Sequence, residues 1–149
     1  MMVTRVTMTP SKPADLTREE KQKIRKRSPK GLTLAALKGV NIILDRTEKG
    51  VGFEGPLKAY SPDYLKLKQS KGFSGIVDLN WTGNMLGSIT VDSKQDVATL
   101  FFSRSVEAKK AAMNNKTRPF FGFNDKEENK LRDTYEKYVF AGFGKGSNT

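Results

Sequence analysis

Apolar residues recur along this chain in two rhythms, and the rhythm changes near the middle. From about 33 to 49, Leu37, Val40, Ile43 and Leu44 fall at three- and four-residue steps, which predicts a helix with one apolar face. Gly39 weakens that helix by about 1 kcal/mol relative to alanine. Arg46 and Lys49 suit its C-terminal end, and Gly50 is a natural residue just past it. From about 76 to 81 the spacing becomes alternate: Val77, Leu79 and Trp81 against Asp78 and Asn80. Ile89 and Val91 against Ser88 and Thr90 repeat the alternation over about 87 to 92, and a third stretch covers about 97 to 103. Period-two spacing predicts strands with one buried face. The third stretch is different. Ala98, Leu100 and Phe102 are apolar, and so are Val97 and Phe101 on the other face, which predicts a central or helix-covered strand.

The first two stretches are separated by T-G-N-M-L, residues 82 to 86. This is longer than a two-residue hairpin turn, and Met85 and Leu86 are apolar, so it reads as one helical turn capping the end of a sheet. The polar run Asp92 to Asp96 joins the second and third stretches. Ser105 can cap a short helix through about Asn114. Asn124, with Glu127 at capping-box spacing, opens a last helix striped by Leu131, Tyr135, Tyr138 and Val139. Between 50 and 75, glycines and prolines punctuate a long connection that Tyr60, Tyr64 and Leu65 could pin to the body.

The expected order is helix, long loop, three strands and two helices: an α+β domain with a small antiparallel sheet and packed helices. The division expected is a basic N-terminal arm over 1–31, the α+β domain over 32–141 and a flexible glycine-rich tail over 142–149. In the arm, Thr17 and Glu20 have capping-box spacing, so a short helix from about Leu16 to Arg27 is expected, ended by Pro29 and Gly31. Leu16 and Ile24 alone give it little to dock with, so it should be loose or ordered by a partner.

Charge sharpens this picture. The 149-residue chain has a net charge of +11, and residues 1–31 hold nine Lys or Arg against three acids, more than half of that surplus. Such a surface favours polyanions or acidic protein faces. The chain has neither cysteine nor histidine, which closes disulfide, thiol and imidazole chemistry and most metal-site templates. No stretch approaches the length of a membrane helix and no secretory signal is evident, so a reducing cytoplasm is the expected site of synthesis.

Candidate chemistry is thin. Asp125, Glu127 and Glu128 fit a helix start better than a divalent-metal site. Asp78 and Asp92 lie on different predicted strands with no sign of convergence. The ending GFGKGSNT lacks the earlier glycine, the strand and the helix that a phosphate loop needs. In the arm, Lys23, Arg25, Lys26, Arg27 and Lys30 could neutralise phosphates or dock on an acidic neighbour. The stretch RPFFGF, 118 to 123, sets Phe120, Phe121 and Phe123 between two helices. It reads either as a buried loop or as an aromatic anchor at a subunit boundary, with Arg118 beside it.

Together the segments DRTEKGVGFEGPLKAYSPDYLKLK (45–68), VDLNWTGNML (77–86) and RPFFGF before an acidic helix start resemble the virion-morphogenesis, or tail-component, family of tailed bacteriophages. The resemblance covers about 32 to 140, and Trp81 stands where that family more often has a leucine-rich strand. It implies a structural virion protein of the neck, connector or tail-completion type, without catalytic activity or cofactor and without a membrane. Such a protein is assembled in the host cytoplasm as a homo-oligomeric ring, sixfold by expectation, around the DNA path between portal complex and tail. Thr82, Gly83, Met85 and Leu86 would then shape a sheet end that meets a neighbour. Arg118, Phe120 and Phe121 would anchor the boundary, and Tyr60 and Tyr64 would sit on a loop reaching an adjacent ring. The alternatives are a tail terminator or head-closure protein of the same virion and, in another class, a small basic nucleic-acid-binding protein.

Overall fold

One helix, α1, runs from Arg18 to Glu48, straight through the Pro29 and Gly31 that the sequence suggests as stops. The computed structural model describes residues 3–7, 15–80, 83–94 and 96–143. The capping box is present in both directions, with Glu20 N–H on Thr17 Oγ1 and Thr17 N–H on Glu20 Oε1, each at 3.0 Å. An interior proline costs a helix roughly 3 kcal/mol, so packing must hold this one. Ser28 Oγ meets Tyr135 OH at 2.8 Å, and Thr33 Oγ1 donates to the Pro29 carbonyl at 3.0 Å. Gly31 is a notch and not a breaker: a Cβ there would lie 3.0 Å from both Tyr135 and Val139. Gly39 faces Phe123 in the same way, with 2.6 Å to its ring tip. The expected arm and first helix are therefore one rod, about 46 Å long at 1.5 Å per residue.

The arm's first residues also belong to the body. Strand β1, Val3–Val6, pairs antiparallel with β5, Val97–Phe102, which pairs on its other side with β4, Ile89–Lys94. β5 is central, as its composition suggests, and Ala98, Leu100 and Phe102 have no exposed surface. The fold is α+β: five helices, this three-stranded antiparallel sheet and a two-stranded ribbon among the described residues.

The expected strand over 76–81 does not form among the described residues. Residues 76–80 form an irregular bend, and Trp81 and Thr82 lie outside the described residues. Side chains take the backbone groups that a ladder would need. Leu79 N–H donates to Tyr60 OH at 3.0 Å, and Asn80 N–H donates to its neighbour Asp78 Oδ1 at 3.0 Å. Leu79 sits at φ 55°, a left-handed conformation that interrupts any strand. The T-G-N-M-L turn does contain a helical turn, α3, Asn84–Gly87, entered through Gly83 at φ 79°.

The connection over 50–75 is also more ordered than expected. It holds the ribbon strands β2, Val51–Gly52, and β3, Gly55–Pro56, then helix α2, Pro62–Ser70, whose cap Ser61 Oγ accepts from Tyr64 N–H. Helices α4, Ser105–Thr117, and α5, Asp125–Val139, follow. Ser105 is the first residue of α4 and not its cap; Arg104 holds the cap position without a side-chain bond, and the helix continues past Asn114 to Thr117. α5 lies along α1 and carries the expected capping box of Asn124 and Glu127. Of the expected C-terminal tail, residues 144–149 lie outside the described residues.

The RPFFGF loop is part of the core. Phe120 and Phe121 are buried against Phe102. Asn115 Oδ1 accepts both of their N–H groups at 3.0 Å. Arg46 reaches across from α1, donating to the Phe120 carbonyl at 2.8 Å, to the Gly122 carbonyl and to Glu127 Oε2 at 2.8 Å. Phe120 and Phe121 are therefore not surface anchors for a neighbour. The hydrophobic effect has already spent them inside the subunit, and of the two readings of this loop the buried one is correct.

Candidate functional site

Tyr60 N-terminal to α2, Tyr64 within it, Gly83 and Met85 of the T-G-N-M-L turn and Arg118 at the end of α4 lie far apart in sequence. They converge on one open groove of about 600 Å³, completed by Ser61, Leu79, Glu107, Lys110 and Asn114. The position of each follows from local chemistry. Ser61 and Pro62 start α2 and hold Tyr64 on its first turn. Arg118 ends α4 and donates through Nε to the Lys58 carbonyl at 2.7 Å and through Nη2 to the Ala59 carbonyl at 3.0 Å, which ties the segment before α2 to α4.

The Tyr60 ring lies between two cations, with Lys68 Nζ 4.8 Å and Arg118 Cζ 5.0 Å from its centroid, and Tyr64 packs edge-on at 4.8 Å. Lys68 has no exposed surface, and its Nζ donates to Asp78 Oδ1 at 2.6 Å and to Tyr60 OH at 3.4 Å. Burial alone would lower its pKa. The hydrogen bond it donates to Asp78 and the charges of Tyr60 and Asp78 more than offset this, so the ammonium is held above the ordinary lysine value.

Glu107 is the unusual wall of the groove. It is 3% exposed, its Oε1 has only Lys110 Nζ at a long 3.5 Å, and its Oε2 is buried without a hydrogen-bond partner among the described residues. Buried acceptors are almost always paired, so this one is an energetic cost to the isolated subunit. The groove presents hydroxyls, a carboxamide, two cations and one buried carboxylate around apolar Leu79 and Met85. It can grip a surface that offers donors and apolar groups. No group of three potential metal ligands occurs among the described residues.

Other positions named from sequence fall elsewhere. Met85 is buried at the groove floor, Leu86 is half-buried on the core, and Thr82 lies outside the described residues. Asp78 holds Lys68 while Asp92 is exposed on the sheet, so these two carboxylates stay apart in role. Asp125, Glu127 and Glu128 occupy the first turn of α5. Lys23, Arg25, Lys26 and Lys30 are exposed on α1. Arg27 is committed to the fold: it donates to the Val139 carbonyl at 3.1 Å and the Ala141 carbonyl at 2.8 Å, and it lies over Phe143. Sequence reasoning missed Lys68 and Glu107. Glu107 did leave a signal, since it stands four residues before buried Ala111 on one helix face.

No family model matches the chain, and neither a curated protein nor a solved structure matches it significantly. No helix among the described residues is long and apolar enough to cross a membrane.

Proposed function

We propose that this chain is a structural subunit of a tailed-bacteriophage virion, a neck protein that closes into a ring around the DNA path between head and tail. One observation carries the proposal. Residues from three separated segments of the phage-like pattern (Tyr60 and Tyr64, Gly83 and Met85, and Arg118) meet in a single open groove, and a buried Glu107 oxygen in its wall lacks a partner. That is what a docking surface needs. The two sheet edges, β1 and β4, lie on opposite sides of β5 and so could each face a different neighbour, as head-to-tail closure requires.

Native mass spectrometry and negative-stain microscopy of the purified protein test this. A closed ring, sixfold by expectation, supports it, as does incorporation into tailed particles. Tyr64→Ala changes an exposed groove residue, so it should leave folding intact and abolish ring closure. A chain that stays monomeric and never enters particles overturns the reading.

A second reading is favoured by a different feature. α1 runs past α5, and among the described residues no α1 side chain before Arg27 bonds to another element. Lys23, Arg25 and Lys26 thus stand out on an exposed helix. This suits non-specific binding to phosphates. Duplex binding that weakens steeply with salt and is lost in Lys23→Gln/Lys26→Gln, by a protein that forms no ring, would favour that reading.

A further inference from the structure

Helices α1 and α4 and the phenylalanine loop pack on one face of the β1–β5–β4 sheet, where Val6, Ala98, Leu100 and Phe102 are buried. The opposite face has no covering element among the described residues. It carries Val97, Thr99 and Phe101 of β5, and Val3 of β1 is 43% exposed beside them. A shallow groove of about 580 Å³ runs across this face. A central strand that is apolar on both faces is the pattern of a strand covered on both. Among the described residues the second cover is missing.

The register shows what fits. Directly paired residues share a face, so the outer face is a grid of rows. Val3, Phe101 and Thr90 form one, Arg5, Thr99 and Asp92 the next, and Val97 with Lys94 the third. The middle row has a cation at one edge of the sheet and an anion at the other. Both are exposed, and neither has an ion-pair partner among the described residues.

We propose that this face docks on the same face of a second copy, about a two-fold axis parallel to β5. That axis exchanges the two edges at constant height. Arg5 of one protomer then lies over Asp92 of its partner, twice by symmetry, while the Phe101 and Val97 positions meet across the axis. An axis perpendicular to the strands would set Arg5 on Arg5 and Asp92 on Asp92, so charge selects between the two stackings. Sheets stacked in this way lie about 10 Å apart with strand directions within about 30° of one another. Three strands of about five residues offer a footprint of only a few hundred Å², against about 800 Å² per partner in a standard interface. The pair is therefore weak in isolation and forms as concentration rises. It does not depend on the virion reading, which runs through the groove on α2, α3 and α4.

Sedimentation equilibrium over a concentration series tests it. The wild type should show reversible dimerisation that weakens with salt. Arg5→Asp alone, or Asp92→Arg alone, sets like charges opposite each other and should weaken association at least tenfold. The double variant Arg5→Asp/Asp92→Arg restores opposite charges and should return it to within a few-fold of wild type. Both residues are exposed, so unchanged thermal unfolding of all three variants shows that folding is intact. Wild type without self-association, single variants without effect, or a double variant no better than the singles would each overturn the proposal.

Discussion

Replacing Arg46 by alanine should be among the most damaging single changes in this fold. Its guanidinium ties three parts of the chain: α1, the Phe120–Gly122 backbone and Glu127 of α5. Both side chains of the Arg46–Glu127 pair are 11% exposed, so the pair is largely out of water. Removing one partner of a buried pair costs about 3–5 kcal/mol, because the remaining charge stays desolvated. The two carbonyls that lose their donor add to this, at roughly 1 kcal/mol or more each where water cannot reach them. Relaxation recovers part of the sum, so the expected loss is about 3–5 kcal/mol. In a chain of this length each kcal/mol lowers Tm by roughly 2–4 °C, so a fall on the order of 6–20 °C is expected. Urea unfolding followed by circular dichroism measures the free energy. Glu127→Gln is the companion variant, since its amide oxygen can still close the capping box with Asn124 N–H while the charge is gone. The two changes should be non-additive, with a coupling of about 0.5–3 kcal/mol. An Arg46→Ala loss below about 1 kcal/mol would refute the claim that this clamp holds the loop.

The Lys68 ammonium gives a pH prediction. A group whose pKa is raised by folding contributes its stability in full below the unfolded value and loses it as pH rises through the folded value. Stability from this site should therefore be flat up to the ordinary lysine value of 10.5 and fall above it, and Lys68→Met should remove that alkaline limb in urea titrations. Pro29→Ala removes an interior helix proline while leaving the Ser28 and Thr33 contacts in place, so Tm should rise by several degrees; a fall would mean that the ring itself packs. Glu107→Gln relieves a buried carboxylate with an unpaired oxygen, so thermal unfolding should show equal or greater stability; marked destabilisation would show that the long Lys110 contact outweighs the cost of the unpaired oxygen.

The elements legible in the sequence are those whose signals are local. Asn124 and Glu127 announce α5, the Asp92–Asp96 turn announces the β4–β5 hairpin, and two apolar faces place β5 at the centre. What escaped reading depends on distant residues. Gly31 looks like a helix end and Gly39 like a weak point until Tyr135, Val139 and Phe123, about a hundred residues on, occupy the space their side chains would take. β1 has four residues, and its partner Phe101 is nearly a hundred positions from Val3. Over 77–81 the alternation imitated a strand, but Tyr60 and Asp78 took the backbone hydrogen bonds. The groove was half legible. Tyr60, Tyr64, Gly83, Met85 and Arg118 were named from sequence, whereas the burial of Glu107 depends on how α4 packs.

The continuity of α1 changes what its charged end can do. A tether can turn its cations toward any target, but a rod carries them at a set angle and height relative to the body. Deleting a single residue between Arg18 and Arg27 would rotate every charge beyond the deletion by about 100° and draw it in by about 1.5 Å, with composition almost unchanged. If only total charge matters to the partner, that deletion is silent. If orientation matters, one missing residue should disable the end of the helix as thoroughly as cutting it away.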